Sequence, residues 1–205
     1  MDPRAWLATV RGARGGVQPV EEWDELYSSD DPYGYEGTEE RARYEWTLAA
    51  LEGRRFARAL ELGCSVGVFT EMLAPQCDEL VALDVSARAL ERAADRLGAR
   101  PEVQLERGAV PDDLPEGPFD LIVCSDVLAY SVPDQVLVAL RRIEGALASG
   151  GVLLAAHWRP PTPTHRLSGD RVHRLLTRHT TLRRTGRAFR GNHRLDILEK
   201  HPASP

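Results

Sequence analysis

Between Arg58 and Trp158, short apolar runs alternate with helix-forming stretches, and no other feature of the chain narrows the fold as much. RALEL (58–62) reads as a buried strand and GVFTEMLA (67–74) as a helix ended by Pro75. ELVALD is the next strand; Ser86 caps ARALERAADRL and Gly98 stops it. EVQLE and FDLIVCS are strands, and Ser131 and Pro133 open the helix DQVLVALRRIEGALA, closed by Gly150 and Gly151 before the strand VLLAAHW. Strands that alternate with helices in this way build a doubly wound α/β fold, a mostly parallel sheet with helices on both faces. The ending departs from the alternation. GDRVHRLLTRH reads as a helix, and TLRRTGRAFR and RLDILEK as two strands across a Gly-Asn turn, which adds an antiparallel hairpin to one edge. Before the alternation, a short helix is expected near Trp6. A longer one is expected from Thr38, read as its N-cap, to about Glu52, with Gly53 as its stop. At 205 residues the chain is one domain at 38–200, with an N-terminal segment at 1–37 serving as a lid and a short tail at 201–205.

In such sheets ligands lie at the carboxyl ends of the strands, near the switch in strand order. That rule selects Glu61–Gly67, Asp84, Arg107–Val110, Ser125–Tyr130 and His157–Arg159. The turn after the first strand, ELGCSVG, lacks the lysine and spacing of a triphosphate loop. It also lacks the second and third glycines of a dinucleotide turn, with Ser65 where the second would stand. Glu61 at the strand end would repel a pyrophosphate and suit an ammonium or sulfonium charge. Asp84, one β-α-β unit later, is placed to accept from two ribose hydroxyls. A glycine turn, a strand-end acid and a ribose acid together fit S-adenosylmethionine, a phosphate-free adenosine carrying a cationic sulfur.

ELGCSVG, the Leu83-Asp84 pair and FDLIVCSDVL resemble the successive motifs of the Rossmann-like class I S-adenosylmethionine-dependent methyltransferases. DPYGYEGTEERARYEWTL, GVFTEMLAPQCDEL and the HWRPP and SGDRVH stretches resemble, more closely, the small NodS-type methyltransferases, over roughly residues 22–200. That family includes nodulation N-methyltransferases acting on the aminosugar end of chitin-like oligosaccharides. The resemblance implies that Glu61, Gly63, Cys64 and Ser65 hold the methionine portion, that Gly67 permits close helix–strand packing, and that Asp84 with Val85 holds the ribose. It places the adenine beside Gly108, Ala109 and Val110. Many relatives carry an acid at the Ala109 position; Asp112 takes over as acceptor to the adenine amine, or nothing does. Ser125 joins the cofactor wall, and Arg43 clamps the methionine carboxylate. S-adenosylhomocysteine is then the product and no metal is expected.

Candidates for the chemistry are His157, Asp126 and Tyr130. An imidazole takes a proton at neutral pH, and His157 ends an apolar strand on the expected crevice. Tyr33, Tyr35, Tyr44, Trp158, Arg159 and His173 are the expected acceptor contacts. His165, His179, His193 and His201 are scattered and read as solvated. The acceptor is expected to be a small, carbohydrate-like molecule methylated on nitrogen or oxygen; a homo-oligomer is left open. From Arg159 onward the chain is rich in arginine, which raises an RNA methyltransferase as an alternative. No aromatic–basic signature accompanies those arginines, and Lys200 is the only lysine, so nucleic acid is disfavoured. A protein that kept the cofactor pocket and lost turnover is the non-enzymatic alternative. No apolar run approaches a membrane span. The N-terminus lacks a signal-peptide core, and Cys64, Cys77 and Cys124 show no ligand spacing, which together predict a cytoplasmic protein with reduced thiols.

Overall fold

The computed structural model describes residues 19–29, 34 and 37–202. The helix expected near Trp6, and Tyr33 and Tyr35 of the DPYGY turn, lie outside the described residues. The elements are α1 (Val20–Leu26), α2 (Thr38–Ala49), β1 (Phe56–Leu62), α3 (Val68–Leu73), β2 (Cys77–Asp84), α4 (Ala87–Leu97), β3 (Val103–Arg107), β4 (Phe119–Ser125), α5 (Pro133–Ala146), β5 (Leu147–Trp158), α6 (Gly169–His179), β6 (Arg183–Arg190) and β7 (His193–Glu199). They build one seven-stranded sheet of order β3-β2-β1-β4-β5-β7-β6. The first five strands are parallel. β7 runs antiparallel to both its neighbours, so the C-terminal hairpin forms one edge. The architecture is the doubly wound, Rossmann-like sheet that the alternation predicts.

The core has two layers because strands buried on both faces send alternate side chains to opposite sides. Leu60 and Leu62 of β1, Ile122 and Cys124 of β4 and Leu153 and Ala155 of β5 pack with Leu140 and Ile143 of α5 and Val172 and Leu176 of α6. Ala59, Leu121, Val123, Leu154 and Ala156 face the other way, against Tyr44 of α2, Phe69 and Leu73 of α3 and Ala89 of α4. Among the described residues no helix is long and apolar enough to cross a membrane. The three cysteines are unpaired and buried. Several of the late arginines are tied down: Arg159 pairs with Asp170, Arg183 with Glu199, and Arg187 and Arg194 with Asp196.

Local punctuation largely follows chemistry. Ser86 Oγ accepts from the Ala89 amide at 3.2 Å, as an N-cap does, and Gly98 takes φ +57° at the other end of α4. Three boundaries differ from expectation, the first being the end of α2, which comes at Ala49 where about Glu52 was expected. α2 begins at Thr38 itself, with Gly37 in the cap position and no side-chain cap bond. α5 ends at Ala146, before the Gly150-Gly151 pair, because β5 has already begun at Leu147. There the pairing with β4 shifts between Phe119↔Leu147 and Leu121↔Val152, and the glycines occupy the inserted length. A Cβ on Gly151 would lie 2.9 Å from both the Ala148 and Phe119 carbonyl oxygens, so the pair serves a bulge inside a strand.

Candidate active site

β1 delivers Glu61 to its carboxyl end, and the chain then turns through Gly63 at φ +70°. A Cβ on Gly63 would overlap Val127 Cγ2, so only glycine lets this turn lie against the segment after β4. Gly67, at φ +78°, starts α3; its Cβ would sit 3.1 Å from that of Ala93, so it permits close approach of α4. The amides of Gly63 and Cys64 both donate to the Leu83 carbonyl, at 2.7 and 3.0 Å, and that of Gly67 to the Cys64 carbonyl. The Ser65 amide donates to Asp84 Oδ2 at 2.8 Å. With four amides engaged inside the protein, the turn has little to offer a phosphate, which binds by collecting free N–H groups.

The charges point the same way. Glu61 is 4% exposed, and its Oε2 is buried with no partner in the fold. Burial, with the nearby Asp84 charge adding to it, pushes the Glu61 carboxyl up to about 7. Asp84 accepts from the Ser65 and Ser86 amides at 2.8 and 2.9 Å; burial raises its carboxyl, against the pull of those amides. Two buried carboxyls, one with an unsatisfied oxygen, make a site for a cation bearing hydroxyl groups. The residues present therefore fit the sulfonium, ammonium and ribose of S-adenosylmethionine. Helix α1 is fastened over this end: Tyr27 Oη donates to Ser65 Oγ at 2.8 Å, and Ser86 Oγ donates to Asp24 Oδ1 at 2.6 Å.

From this turn a cleft of about 610 Å³ runs along the strand ends. One flank is Val85 with Gly108, Ala109 and Val110. The Ala109 amide donates to Asp113 Oδ2 at 3.0 Å, so Asp113 is the acid that orders this loop, whereas Asp112 is exposed and off the cleft wall. The other flank holds Ser125, Asp126, Tyr130 and Trp158, with Arg43 and Tyr44 from α2. Asp126 takes φ +59° just after β4, and its Oδ1 accepts from the Trp158 amide at 2.6 Å, joining the ends of β4 and β5. Arg43 is 6% exposed; it donates to Glu40 Oε2 from Nε and Nη2 at 2.8 and 2.6 Å and to Ser125 Oγ at 3.0 Å.

Three of the residues expected to serve the acceptor or its proton fall outside this cleft. His157 is 0% exposed, on the sheet face turned to α6; its Nδ1 lies 3.3 Å from His173 Nε2. His173, also 0% exposed, has its Nδ1 3.0 Å from Asp196 Oδ2. These two histidines form a buried chain behind the site, where burial and then mutual repulsion hold His157 well below its ordinary value. Arg159 pairs with Asp170 and covers the Phe189 ring. Conversely, His165 and His193, read as solvated, line the cleft and are partly buried. His165 follows β5 in the loop PPTPTHR, and His193 opens β7; position after a strand end was the available signal for the first. Val20, Trp23, Tyr27, Phe69 and Val127 also line the cleft without having been singled out. His179 and His201 are exposed. Among the described residues no group of three His, Cys, Asp or Glu side chains is placed to hold a metal ion.

Fold and site together define a class I S-adenosylmethionine-dependent methyltransferase, the class whose cofactor occupies this end of such a sheet. A family profile described as a methyltransferase domain matches residues 60–153. The chain is 35% identical over 131 residues to nodulation protein S of Rhizobium tropici, covering 62% of this chain and 55% of that one. It thus spans about half the length of the curated relatives it matches. Against solved structures the coverage is fuller. N-methyltransferase NodS from Bradyrhizobium japonicum WM9, in complex with S-adenosyl-L-homocysteine, superposes with a TM-score of 0.80 at 27% identity, over 88% of this chain and 97% of that one. A candidate methyltransferase from Pseudomonas syringae is 33% identical with a TM-score of 0.69, over 78% of this chain and 98% of that one. The chain belongs to the methyltransferases, and among them it is similar to the NodS proteins.

Proposed function

We propose that this chain transfers a methyl group from S-adenosylmethionine to a nitrogen of a small, carbohydrate-like acceptor. The observation that carries the reading is continuity: one cleft joins the buried Glu61–Asp84 end to an end lined by Asp126, Tyr130, Trp158 and two histidines. Of the relatives named above, NodS from Bradyrhizobium japonicum is an N-methyltransferase, and that supports nitrogen over oxygen. When bound, S-adenosylmethionine supplies a methyl group already activated on a sulfonium. What remains for the protein is to orient the acceptor, exclude water and accommodate a proton. Glu61 would balance the ligand's positive charge and Asp84 would hold the ribose hydroxyls. Gly108, Ala109 and Val110 would flank the adenine, and Arg43 would lie beside the methionine carboxylate. Trp23 of α1 and Tyr130, edge to face at 4.8 Å, stand on the cleft wall, and α1 would act as a lid.

The test is calorimetry followed by product analysis. S-adenosylhomocysteine should bind and NAD should not. A chitooligosaccharide with a free terminal amine should gain one methyl mass, while its N-acetylated counterpart should not. NAD binding without S-adenosylhomocysteine binding would overturn the cofactor. Methylation of the acetylated oligosaccharide at equal rate would overturn the choice of nitrogen.

A further inference from the structure

Methylation of an N–H or O–H group releases a proton, and the groups around the acceptor end differ in their capacity to take it. Glu40 Oε2 already accepts two bonds from Arg43. Asp126 has one oxygen on the Trp158 amide and the other 3.7 Å from Arg43 Nη1. His157 is sealed behind β5 and donates to or accepts from His173. The Tyr130 phenol is a hydrogen-bond donor that carries its own proton at neutral pH, which leaves the two histidines of the cleft wall. His193 stands edge-on to Trp158 at 5.0 Å; burial and then the positive charge of Arg43 hold it below its ordinary value, against the opposing pull of Asp126 and Glu40. On His165 burial also lowers the value, and Asp126, whose charge favours an imidazolium, opposes it.

His165 is also held in place. Its amide donates to Thr162 Oγ1 at 3.0 Å. The next two amides, of Arg166 and Leu167, donate to the Ala129 carbonyl at 2.8 and 3.0 Å, tying the loop to the turn that carries Tyr130. The ring stands edge-on to Tyr130 at 4.8 Å, and its Nδ1 is buried with no partner in the fold. With Nδ1 shut away from the solvent, Nε2 is the ring nitrogen left to meet a group bound in the cleft.

We propose that His165 takes the proton of the acceptor, with Asp126 stabilising the imidazolium that forms. The inference rests on the methyl-transfer reading above. As the acceptor nitrogen or oxygen bonds to the methyl carbon, the carbon–sulfur bond breaks with its electron pair going to sulfur. The acceptor's proton then passes to a ring nitrogen of His165. The groups that bear on His165 are Asp126 from the end of β4, Tyr130 from the turn after it and His157 from β5, with Arg43 and Glu40 of α2 and His193 of β7 around the same cleft.

The experiment compares wild type with His165→Gln, His165→Ala, His193→Gln and Asp126→Asn, using the amine-terminated chitooligosaccharide and S-adenosylmethionine. His165→Gln should lose about 100- to 10,000-fold in kcat while S-adenosylhomocysteine affinity stays within about threefold. Added imidazole should restore part of the rate of His165→Ala. The acceptor's own ammonium gives every variant one acid limb; wild type should show a second proton in the acid slope, entering below the ordinary imidazole range, and His165→Ala should lose that second proton and keep the first. Independently of turnover, the His165 ring resonances should titrate below 6.5, and lower still in Asp126→Asn. His165→Gln turning over within about threefold of wild type, or loss of the second proton in His193→Gln instead, would overturn the inference alone. No methylation of any oligosaccharide by a wild type that binds S-adenosylhomocysteine would overturn the acceptor reading and this inference with it. No binding of S-adenosylhomocysteine at all would overturn the cofactor.

Discussion

Replacing Glu61 by glutamine should make the ligand-free protein more stable at alkaline pH while weakening its hold on the cofactor. Glu61 is buried, with one carboxyl oxygen unpartnered, and ionises near 7 instead of the ordinary 4.5. A group whose folded pKa is raised binds its proton more tightly folded than unfolded. Stability is then intact below about 4.5, falls as pH rises through the window from 4.5 to 7, and levels above it. The span between 4.5 and 7 corresponds to about 3 kcal/mol once Glu61 is ionised. Glutamine keeps the shape and removes the charge, so the variant should match wild type near pH 4.5 and exceed it by up to about 3 kcal/mol at pH 8.5. For a chain of this size that is roughly 6–12 °C in Tm. The assay is urea unfolding without ligand at both pH values. Calorimetry should show the cost: S-adenosylhomocysteine binding weaker by about 1.5–3 kcal/mol, the scale of a charge-assisted hydrogen bond. Wild type should also release a proton on binding near pH 6, visible as a dependence on buffer ionisation enthalpy and absent from the variant. Equal stability of the two proteins at pH 8.5 would refute the buried-carboxyl argument, whatever the cofactor result.

Gly63→Ala places a Cβ into Val127 at a positive φ, and should cost about 1–3 kcal/mol in urea unfolding; Val127→Ala in the same chain should recover only part, since the backbone strain remains. Tyr27→Phe removes the bond to Ser65 Oγ and should weaken S-adenosylhomocysteine about 2- to 10-fold by calorimetry, with unfolding little changed; an unchanged affinity would detach α1 from the cofactor turn.

The position of the Glu61–Asp84 end of the cleft was legible because each of its parts is a local feature fixed by the backbone. Glu61 and Asp84 close apolar runs, Gly63 stands where a side chain cannot, and Ser86 opens a helix with its own hydroxyl. The acceptor end was not, and His157 shows why. In-register partners share a sheet face, and Glu61 pairs with Val123, which pairs with Leu154. Ser125 pairs with Ala156, so Ala156 and Trp158 lie on the Glu61 face. His157 follows Ala155, the partner of Cys124, onto the opposite face under α6. A one-residue difference of parity thus separates a cleft residue from a buried one. In a strand apolar on both sides, as VLLAAHW is, the alternation that would reveal parity is absent from the sequence. The loop that follows has no period at all, and it is there, seven residues beyond Trp158, that a histidine reaches the cleft. The doubly wound sheet fixes the methyl donor's end through strand termini that any such sequence advertises, while the acceptor's end is built from loop residues whose direction depends on tertiary bonds such as Arg166 and Leu167 to Ala129. The walls at that end of the cleft are therefore written in the part of the chain where periodicity is silent.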